Sequence, residues 1–325
     1  MDFNNKRIMV TGGTGSIGSK IVEKLLSSNP YQVRVYSRDE AKQFELQNQF
    51  NSEKISYLIG DVRDKDRLYM AMENVDIVFH AAALKHVPFC EKNPFEAMKT
   101  NVIGTQNVVE NSLYRGVKKF IGISTDKAVN PSNVMGTTKL LAERLVINAE
   151  EYKGLKDTIF SCVRFGNVLN SRGSVLQIFK NKIEKNEPLP ITDENMTRFI
   201  MSIDDAVELV LKASKLAVGG EIFILKMPTV KIIDLAKAYA EIVNPDYKFE
   251  YKLIGKKPGE KIHEELMINE ETEYVREVDG MYVIPYTKKA KEHYSKFPKI
   301  TIDTYSSEKN NLSVDEIKKL LVKYL

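Results

Sequence analysis

The sequence predicts an α/β protein: a Rossmann-type doubly wound parallel sheet followed by a smaller C-terminal lobe. Three observations carry this. A glycine-rich turn, Gly12-Gly13-Thr14-Gly15-Ser16-Ile17-Gly18, sits between the first apolar run and the first helical pattern. Short β-branched runs then alternate with helical patterns, at the spacing of βαβ units, as far as residue 165. Beyond residue 173 that rhythm weakens into shorter elements punctuated by Pro188, Pro190, Pro228 and Pro258.

Residues 7–10 form the first strand, and the helix after the turn runs through Ile21, Val22, Leu25 and Leu26. Gly13, Gly15 and Gly18 satisfy G-x-G-x-x-G. Glycine at these places lets backbone N–H groups approach a pyrophosphate, and the helix N-terminus adds a favourable dipole. A bare glycine-rich turn is the alternative; the position between strand and helix argues against it. Gly12, Thr14, Gly15, Ser16 and Ile17 are therefore expected to line a dinucleotide.

The second strand, 31–36, ends in Ser37-Arg38-Asp39. An NAD site usually places an acid here for the ribose 2′-hydroxyl. A hydroxyl followed by a guanidinium suits a 2′-phosphate, which favours NADP, and Lys42 can add a second charge. The competing reading leaves Arg38 in solvent and turns Asp39 inward. The third strand, 55–59, closes with Gly60-Asp61-Val62. Asp61 either accepts from an adenine amino group or caps the helix after it. The fourth, 75–79, runs into His80-Ala81-Ala82-Ala83, where small residues let backbone pass close to a cofactor. A long helix follows at 94–113. Asn101 and Gly104 are odd inside it, since neither favours a helix interior, and Asn101 is expected to bridge to the next strand through water.

The fifth strand, 120–123, ends at Ser124-Thr125-Asp126-Lys127. After the turn Asn130-Pro131-Ser132-Asn133, a helix begins near Asn133 with Leu140, Leu141, Leu145 and Val146 as its buried stripe. Met135 and Lys139, four apart, share a face of it. A hydroxyl, a carboxylate and two ammonium groups thus converge at a strand's carboxyl end, where open α/β sheets bind ligands. The sixth strand, 158–165, leads to Gly166-Asn167-Val168 and Ser171-Arg172-Gly173. Helices are expected at 175–185, 204–216 and 232–243. Ser313 and Glu316 form a capping box before a last helix whose stripe, Ile317, Leu320, Leu321 and Leu325, reads as packed core. Arg172, Arg198 and Lys257 are the candidates for holding a diphosphate. The expected division is an NADP-binding domain over 1–170 and a substrate lobe over 171–325, interleaved rather than strung apart.

Charge and composition exclude several classes. A net charge of +4 from 48 basic and 44 acidic residues is too balanced to imply nucleic acid or an anionic membrane surface. Two cysteines, Cys90 and Cys162, point to a reducing cytoplasm. The four histidines do not cluster with cysteines at metal-ligand spacing, so no metal is expected. No run is apolar enough to span a bilayer, and a first strand at Arg7 leaves no room for a signal peptide.

Taken together, the blocks resemble the extended short-chain dehydrogenase/reductases. More narrowly, the chain is similar to the short, soluble, inverting UDP-N-acetylglucosamine 4,6-dehydratases. The likeness runs through Thr11-Gly12-Gly13-Thr14-Gly15-Ser16, Tyr36-Ser37-Arg38-Asp39, Gly60-Asp61-Val62, His80-Ala81-Ala82-Ala83-Leu84-Lys85, Ser124-Thr125-Asp126-Lys127, Arg164-Phe165-Gly166-Asn167, Ser171-Arg172-Gly173, Met196-Thr197-Arg198-Phe199 and Pro258-Gly259-Glu260-Lys261. The resemblance implies an internal redox cycle. Tightly bound NADP takes hydride from carbon 4 of UDP-N-acetylglucosamine, water leaves across carbons 5 and 6, and hydride returns to carbon 6. It implies Lys127 as the base at carbon 5, eased by the nearby Lys139 ammonium, and Asp126 as the acid for the leaving hydroxyl. Thr125 would bond the carbon 4 oxygen and Lys139 the nicotinamide ribose. Asn167, Arg172, Val175, Arg198, Lys257 and Glu260 would face the UDP-sugar, with Lys85 between cofactor and sugar. It also implies a homo-oligomer, dimer or hexamer, and a place in surface glycan or glycoprotein sugar biosynthesis.

Two departures stand out. The superfamily's Tyr-x-x-x-Lys reads Met135 to Lys139 here, and a thioether accepts no proton at neutral pH. Thr125, or a water held by Lys139, is the expected relay. Lys257 stands where relatives often carry arginine. A UDP-sugar 4-epimerase is the competing enzyme, and an NADP-binding sensor the non-catalytic alternative.

Overall fold

The computed structural model describes residues 2–169, 171 and 173–324. The first half alternates strand and helix as the sequence predicts. β1 (Arg7–Thr11) leads to α1 (Ser16–Leu26), β2 (Gln32–Ser37) to α2 (Glu40–Phe50), and β3 (Ile55–Ile59) to α3 (Lys65–Ala71). β4 (Ile77–His80) is followed by two short helices, α4 (Val87–Lys92) and α5 (Pro94–Met98). A π-helical turn at Lys99–Ile103 joins α5 to α6 (Gly104–Tyr114). The expected single helix is thus interrupted where Asn101 and Gly104 looked out of place. A π-bulge widens the backbone and turns a buried polar side chain toward its partners. β5 (Lys119–Ile123), α7 (Val134–Tyr152) and β6 (Ile159–Arg164) complete this half, and the two-residue β7 (Asn167–Val168) follows.

The later elements are shorter. They are α8 (Val175–Glu184), β8 (Leu189–Ile191), β9 (Thr197–Met201), α9 (Ile203–Leu216), β10 (Glu221–Leu225), β11 (Thr229–Lys231), α10 (Ile232–Val243), β12 (Tyr251–Leu253) and β13 (Glu265–Met267). Then come α11 (Asn269–Thr272), β14 (Arg276–Val278), β15 (Met281–Pro285), α12 (Lys288–Tyr294), β16 (Tyr305–Ser306) and α13 (Val314–Tyr324).

Nine strands form one sheet in the order β14-β15-β10-β6-β5-β4-β1-β2-β3. From β3 to β10 every pairing is parallel; β15 and β14 close that edge antiparallel. This is the Rossmann order, with its switch point between β1 and β4. Both sheet faces are covered, so the central strands are apolar throughout, as in Ile8, Met9, Val10 and Ile77, Val78, Phe79, all at or near zero exposure. Strands β10, β14 and β15 come from the second half, so the chain returns to the sheet it began.

A second apolar core lies under the later elements. Leu176, Phe179, Leu189, Ile200, Leu235 and Tyr239 pack there with Ile317 and Leu321 of α13. Ser313 and Glu316 make the capping box, Glu316 N–H donating to Ser313 Oγ and Ser313 N–H to Glu316 Oε2. Leu325 lies outside the described residues. In α7 the leucine stripe is a correction: Leu141 is 48% exposed. The buried face consists of Met135, Gly136, Thr138, Ala142, Glu143, Val146, Ile147 and Ala149. Small residues bring this helix close to its neighbours, which a search for large apolar side chains overlooks.

Candidate active site

Beyond Ile123 the chain leaves β5 while still laced to its neighbour: Ser124 N–H donates to Val163 O and Asp126 N–H to Phe165 O. A 3-10 turn at Asp126–Ala128 follows, capped by the Thr125 hydroxyl. Asp126 has no exposed surface. Its Oδ1 accepts from the Thr125 hydroxyl at 2.8 Å and from the Lys127 ammonium at 3.0 Å. Its Oδ2 is buried with no hydrogen-bond partner, and so is the Ser124 hydroxyl. Buried polar atoms without a partner are rare, and they are found at strained or catalytic positions. Lys127 also reaches Asn167 Oδ1 at 3.4 Å and Glu264 Oε1 at 3.6 Å.

The second lysine is held separately. Lys139 donates to Ile123 O at 2.6 Å, and burial pushes its pKa down against the pull of Cys162 and Glu143. The expectation that Lys139 eases proton loss from Lys127 is corrected by this arrangement. Burial does press on Lys127, but Asp126 and Glu264 outweigh it and the opposing Arg198, so its pKa is raised and the group is an ammonium. Met135 is buried in a small apolar cluster with Cys90 and Ala97 and offers no proton acceptor.

The start of α7 is fixed from both sides. Asn133 Oδ1 caps it by accepting from Gly136 N–H at 2.8 Å. Gly136 packs so tightly on the 3-10 turn that a Cβ there would lie 2.2 Å from Lys127 O. Asn101, expected to bridge through water, bonds directly instead. Its Oδ1 accepts from Leu84 N–H, and its amide donates to Leu84 O and to the Thr138 hydroxyl, which donates on to Met135 O. Asn101 is fully buried, so it ties α7 to the segment after β4 rather than presenting an amide to a cofactor. A parallel chain passes through His80. Ala82 N–H donates to Thr11 Oγ1, and that hydroxyl bonds His80 Nδ1. His80 Nε2 meets Thr105 Oγ1, which itself donates to Asn101 O. The direction of these bonds assigns His80 the neutral Nε2–H tautomer. Burial, with the Lys139 charge, holds its pKa down to about 3.

The glycine turn lies across the switch point from this centre. Gly12 has φ +65°, and a Cβ on it would meet Ala82 N at 2.7 Å; one on Gly18 would meet Gly12 O at 2.3 Å. Helix α1 has Gly15 as N-cap, no side-chain cap and no acid in its first turn, which begins Ser16-Ile17. The N-terminus of an eleven-residue helix whose N-cap is a glycine fits a pyrophosphate. At the end of β2 the Thr14 and Ser37 hydroxyls are 2.7 Å apart. Asp39 is spent on α2: it accepts from Lys42 N–H as N-cap and pairs with the Lys42 ammonium. This corrects Lys42 as a second charge for a 2′-phosphate. Arg38 stays half-exposed, 3.5 Å from Asp61 Oδ2. Asp61 neither caps a helix, since Asp64 caps α3, nor has a bare carboxylate: Arg63 binds it through backbone and guanidinium. Val62 is buried against Gly104, and Ala81, Ala82 and Ala83 line the loop after β4. The donors and the close backbone approaches fit a dinucleotide.

The expected sugar-nucleotide residues divide. Asn167 is exposed and reaches Lys127. Val175 starts α8, and Lys85 and Lys257 are exposed. Glu260 accepts from Lys257 N–H, closing its own loop, and Gly259 O accepts from Ser132 Oγ and Asn133 Nδ2, both at 2.9 Å. Arg198 is a correction. It is buried, and its guanidinium donates to the carbonyls of Thr197, Ile262 and Lys261, clamping backbone instead of presenting a bare fork to a diphosphate. Arg172 lies outside the described residues.

Glu264 is the residue the sequence reading overlooked. It lies three places past the Pro258-Gly259-Glu260-Lys261 block and shares its strand phase with buried Leu266. A carboxylate in phase with a core leucine was the available signal. Among the described residues no His, Cys, Asp or Glu cluster can hold a metal, and no helix is long and apolar enough to cross a membrane.

A Rossmann sheet carrying an acid, a hydroxyl and two lysines at the end of its fifth strand has the make-up of a dinucleotide-dependent enzyme. A family model described as polysaccharide biosynthesis protein matches residues 8–286, and the chain belongs to that family. A UDP-N-acetylglucosamine 4,6-dehydratase (inverting) of Campylobacter jejuni is 46% identical over 91% of this chain and 87% of its own. A protein of Methanocaldococcus jannaschii, named an uncharacterized membrane protein, is 60% identical over 87% of both chains. A Rickettsia felis protein named UDP-glucose 4-epimerase is 40% identical over 98% of this chain and 96% of its own. The X-ray structure of Pen from Bacillus thuringiensis superposes with a TM-score of 0.93 at 44% identity, covering 99% of this chain and all of that one. The resemblance read from the sequence blocks is borne out by these relatives.

Proposed function

We propose that the protein dehydrates UDP-N-acetylglucosamine to a UDP-4-keto-6-deoxy-N-acetylhexosamine with inversion at carbon 5, using NADP. The observation that carries this is the Asp126 carboxylate. It is wholly buried, bonded on one oxygen by Thr125 and Lys127 and orphaned on the other. Elimination of water needs an acid and a base side by side, whereas interconversion of an alcohol and a carbonyl needs only one group that moves a proton.

A bound nicotinamide supplies the hydride acceptor at carbon 4 and the donor at carbon 6. Protein groups move the protons. The carbon 4 hydroxyl gives its proton to Thr125 Oγ1 as the Thr125 proton passes to Asp126 Oδ1, along the 2.8 Å bond between them. This route needs no phenol at Met135. Asp126 then carries the proton that the carbon 6 oxygen requires to depart as water. Neutralising Asp126 removes one of the two negative charges that hold Lys127 as an ammonium. Lys127 releases its own proton to solvent and then, as the amine, takes the carbon 5 proton; a solvent-derived proton returned to the opposite face of carbon 5 restores the balance and gives the inversion. NADP is favoured over NAD by Arg38, and by the engagement of Asp39 in capping. The balanced charge and two buried cysteines support a cytoplasmic enzyme, and the family likeness supports a homo-oligomer.

Incubation with UDP-N-acetylglucosamine in deuterated water, followed by mass spectrometry and product NMR, tests the reading. Loss of one water with deuterium at carbon 5 supports it, and the NMR gives the configuration there. The Rickettsia relative favours a second reading, a 4-epimerase, whose product would be isobaric with substrate. Met135 in the tyrosine's place counts against that chemistry, and an isobaric product would refute dehydration.

A further inference from the structure

The mechanism above gives no part to Glu264, a buried carboxylate beside Lys127. Glu264 is 3% exposed, and its Oε1 lies 3.6 Å from Lys127 Nζ and 3.9 Å from Arg198 Nε. Its backbone is pinned on both sides of the peptide, since Glu264 N–H donates to Ser307 Oγ and Ser307 N–H donates to Glu264 O, both at 2.8 Å. Ser307 is itself buried and bonded to Thr197 Oγ1 on β9. The carboxylate is therefore delivered to Lys127 from the second half of the chain by a rigid support. Deep burial of a carboxylate is unfavourable without such counter-charges.

We propose that Glu264 is a positioning residue for Lys127, holding its ammonium in the cleft opposite Asp126 and governing the pH at which that ammonium is released as the amine. This rests on the dehydratase reading for its place in the reaction, though not for its test. The charged groups facing the pair are few. Lys127 meets Asp126, Glu264 and Arg198; Glu264 meets Lys127, Asp126, Arg198 and Lys261. Arg198 and Lys261 are turned to carbonyls, Arg198 to those of Thr197, Ile262 and Lys261, and Lys261 to that of Val129. Once Asp126 is protonated, Glu264 is the remaining carboxylate against the lysine. Burial and the Asp126 charge push Glu264 upward, Lys127 and Arg198 pull it down, and the net direction is up, as expected where two acids share one cation.

The direction of the effect separates this role from a structural one. A Glu264→Gln change keeps the shape and removes the charge, so Lys127 should release its proton at lower pH. The shift expected from one unit charge at this distance is about one pH unit or more. Competitive acetylation of the full-length protein, read at the Lys127 peptide by mass spectrometry, gives that midpoint without substrate. The midpoint is expected to fall in Glu264→Gln and to return toward the wild-type value in Glu264→Asp. The acidic limb of the water-elimination rate should move down with it, so that Glu264→Gln is relatively faster at the low-pH end. An unmoved midpoint, or one equally low in the aspartate variant, overturns the proposal. If labelling shifts while the wild type releases no water from UDP-N-acetylglucosamine, the coupling stands and the dehydratase reading fails.

Discussion

Arg164 offers the most demanding test of how the site is held. Its guanidinium is 1% exposed and forms a fork with Glu143 Oε1 and Oε2, both at 2.8 Å, and a second with Glu271, at 2.8 and 2.9 Å. It also donates to Leu266 O, while the Tyr286 hydroxyl bonds Glu271. The network thus joins β6, α7, α11 and the residue after β15, and Glu143 lies one helical turn beyond Lys139. Arg164→Met keeps most of the volume and leaves two buried carboxylates without a cation. Removing one partner of a buried pair destabilises by about 3–5 kcal/mol. With an unfolding entropy of about 2.1 cal/mol/K per residue, a chain of this length should lose about 4–7 °C in Tm.

The pH dependence gives the sign. In the wild type, burial would push Glu271 up, yet Arg164 outweighs it and holds the carboxyl below its ordinary value. That stabilisation is present above the unfolded pKa and is lost as pH falls through the folded one. In Arg164→Met the acids sit above their ordinary value, so folding takes up protons. Stability of the variant then falls as pH rises, by up to about 1.4 kcal/mol per unit for each proton. Urea denaturation at pH 5 and pH 8 should show the larger deficit at pH 8. A deficit below about 1 kcal/mol, or the same deficit at both pH values, refutes the argument.

Other predictions concern single contacts. His80, with a folded pKa of about 3 against an ordinary 6.5, binds fewer protons folded than unfolded between those values. Its contribution is complete above pH 6.5 and is lost as pH falls toward 3, amounting to about 5 kcal/mol at the lower end; a His80→Asn variant should show a flatter acid limb in denaturation. Gly136→Ala drives a methyl into Lys127 O and should cost about 1–3 kcal/mol. Water loss should fall more than dinucleotide affinity, and equal losses would argue against a local displacement of the Lys127 turn. Arg38→Ala should reduce the NADP-over-NAD affinity ratio by about 10- to 100-fold, the worth of one charged hydrogen-bonding group; titration calorimetry with both dinucleotides would expose an unchanged ratio.

Much of the fold was legible because each central strand carries its burial in its composition. Ile8-Met9-Val10 and Phe120-Ile121 are buried on both faces and therefore read as unbroken apolar runs. The turn after β1 was legible for a different reason: its backbone geometry admits only glycine at Gly12 and Gly18, so geometry is written as residue type. The unread parts depend on contacts far apart in the chain. Glu264 is 137 positions from Lys127, and nothing in either neighbourhood announces the other. Arg198 reads as a phosphate ligand, because a guanidinium that clamps three carbonyls has the same letter as one that grips an anion. Asn101 lay between. Its poor helix propensity marked it as unusual, but its partners Leu84 and Thr138 became visible only in three dimensions.

Asn133 does two jobs with the two ends of one amide. Its oxygen caps α7, and its nitrogen holds Gly259, at the tip of the loop over 256–260. The helix that carries Met135 and Lys139 and the loop over 256–260 are therefore joined through Asn133, beside the neighbouring Ser132 hydroxyl that also donates to Gly259 O. Variation in that loop, by insertion or by substitution at Gly259, is transmitted to the first turn of the helix. On the proposed placing of Lys257 and Glu260 against the sugar nucleotide, adapting the loop to a different one would mean re-seating the helix as well, so that specificity and chemistry would change together. Asn133→Asp separates the two functions, preserving the cap while removing one of the two donors to Gly259 O.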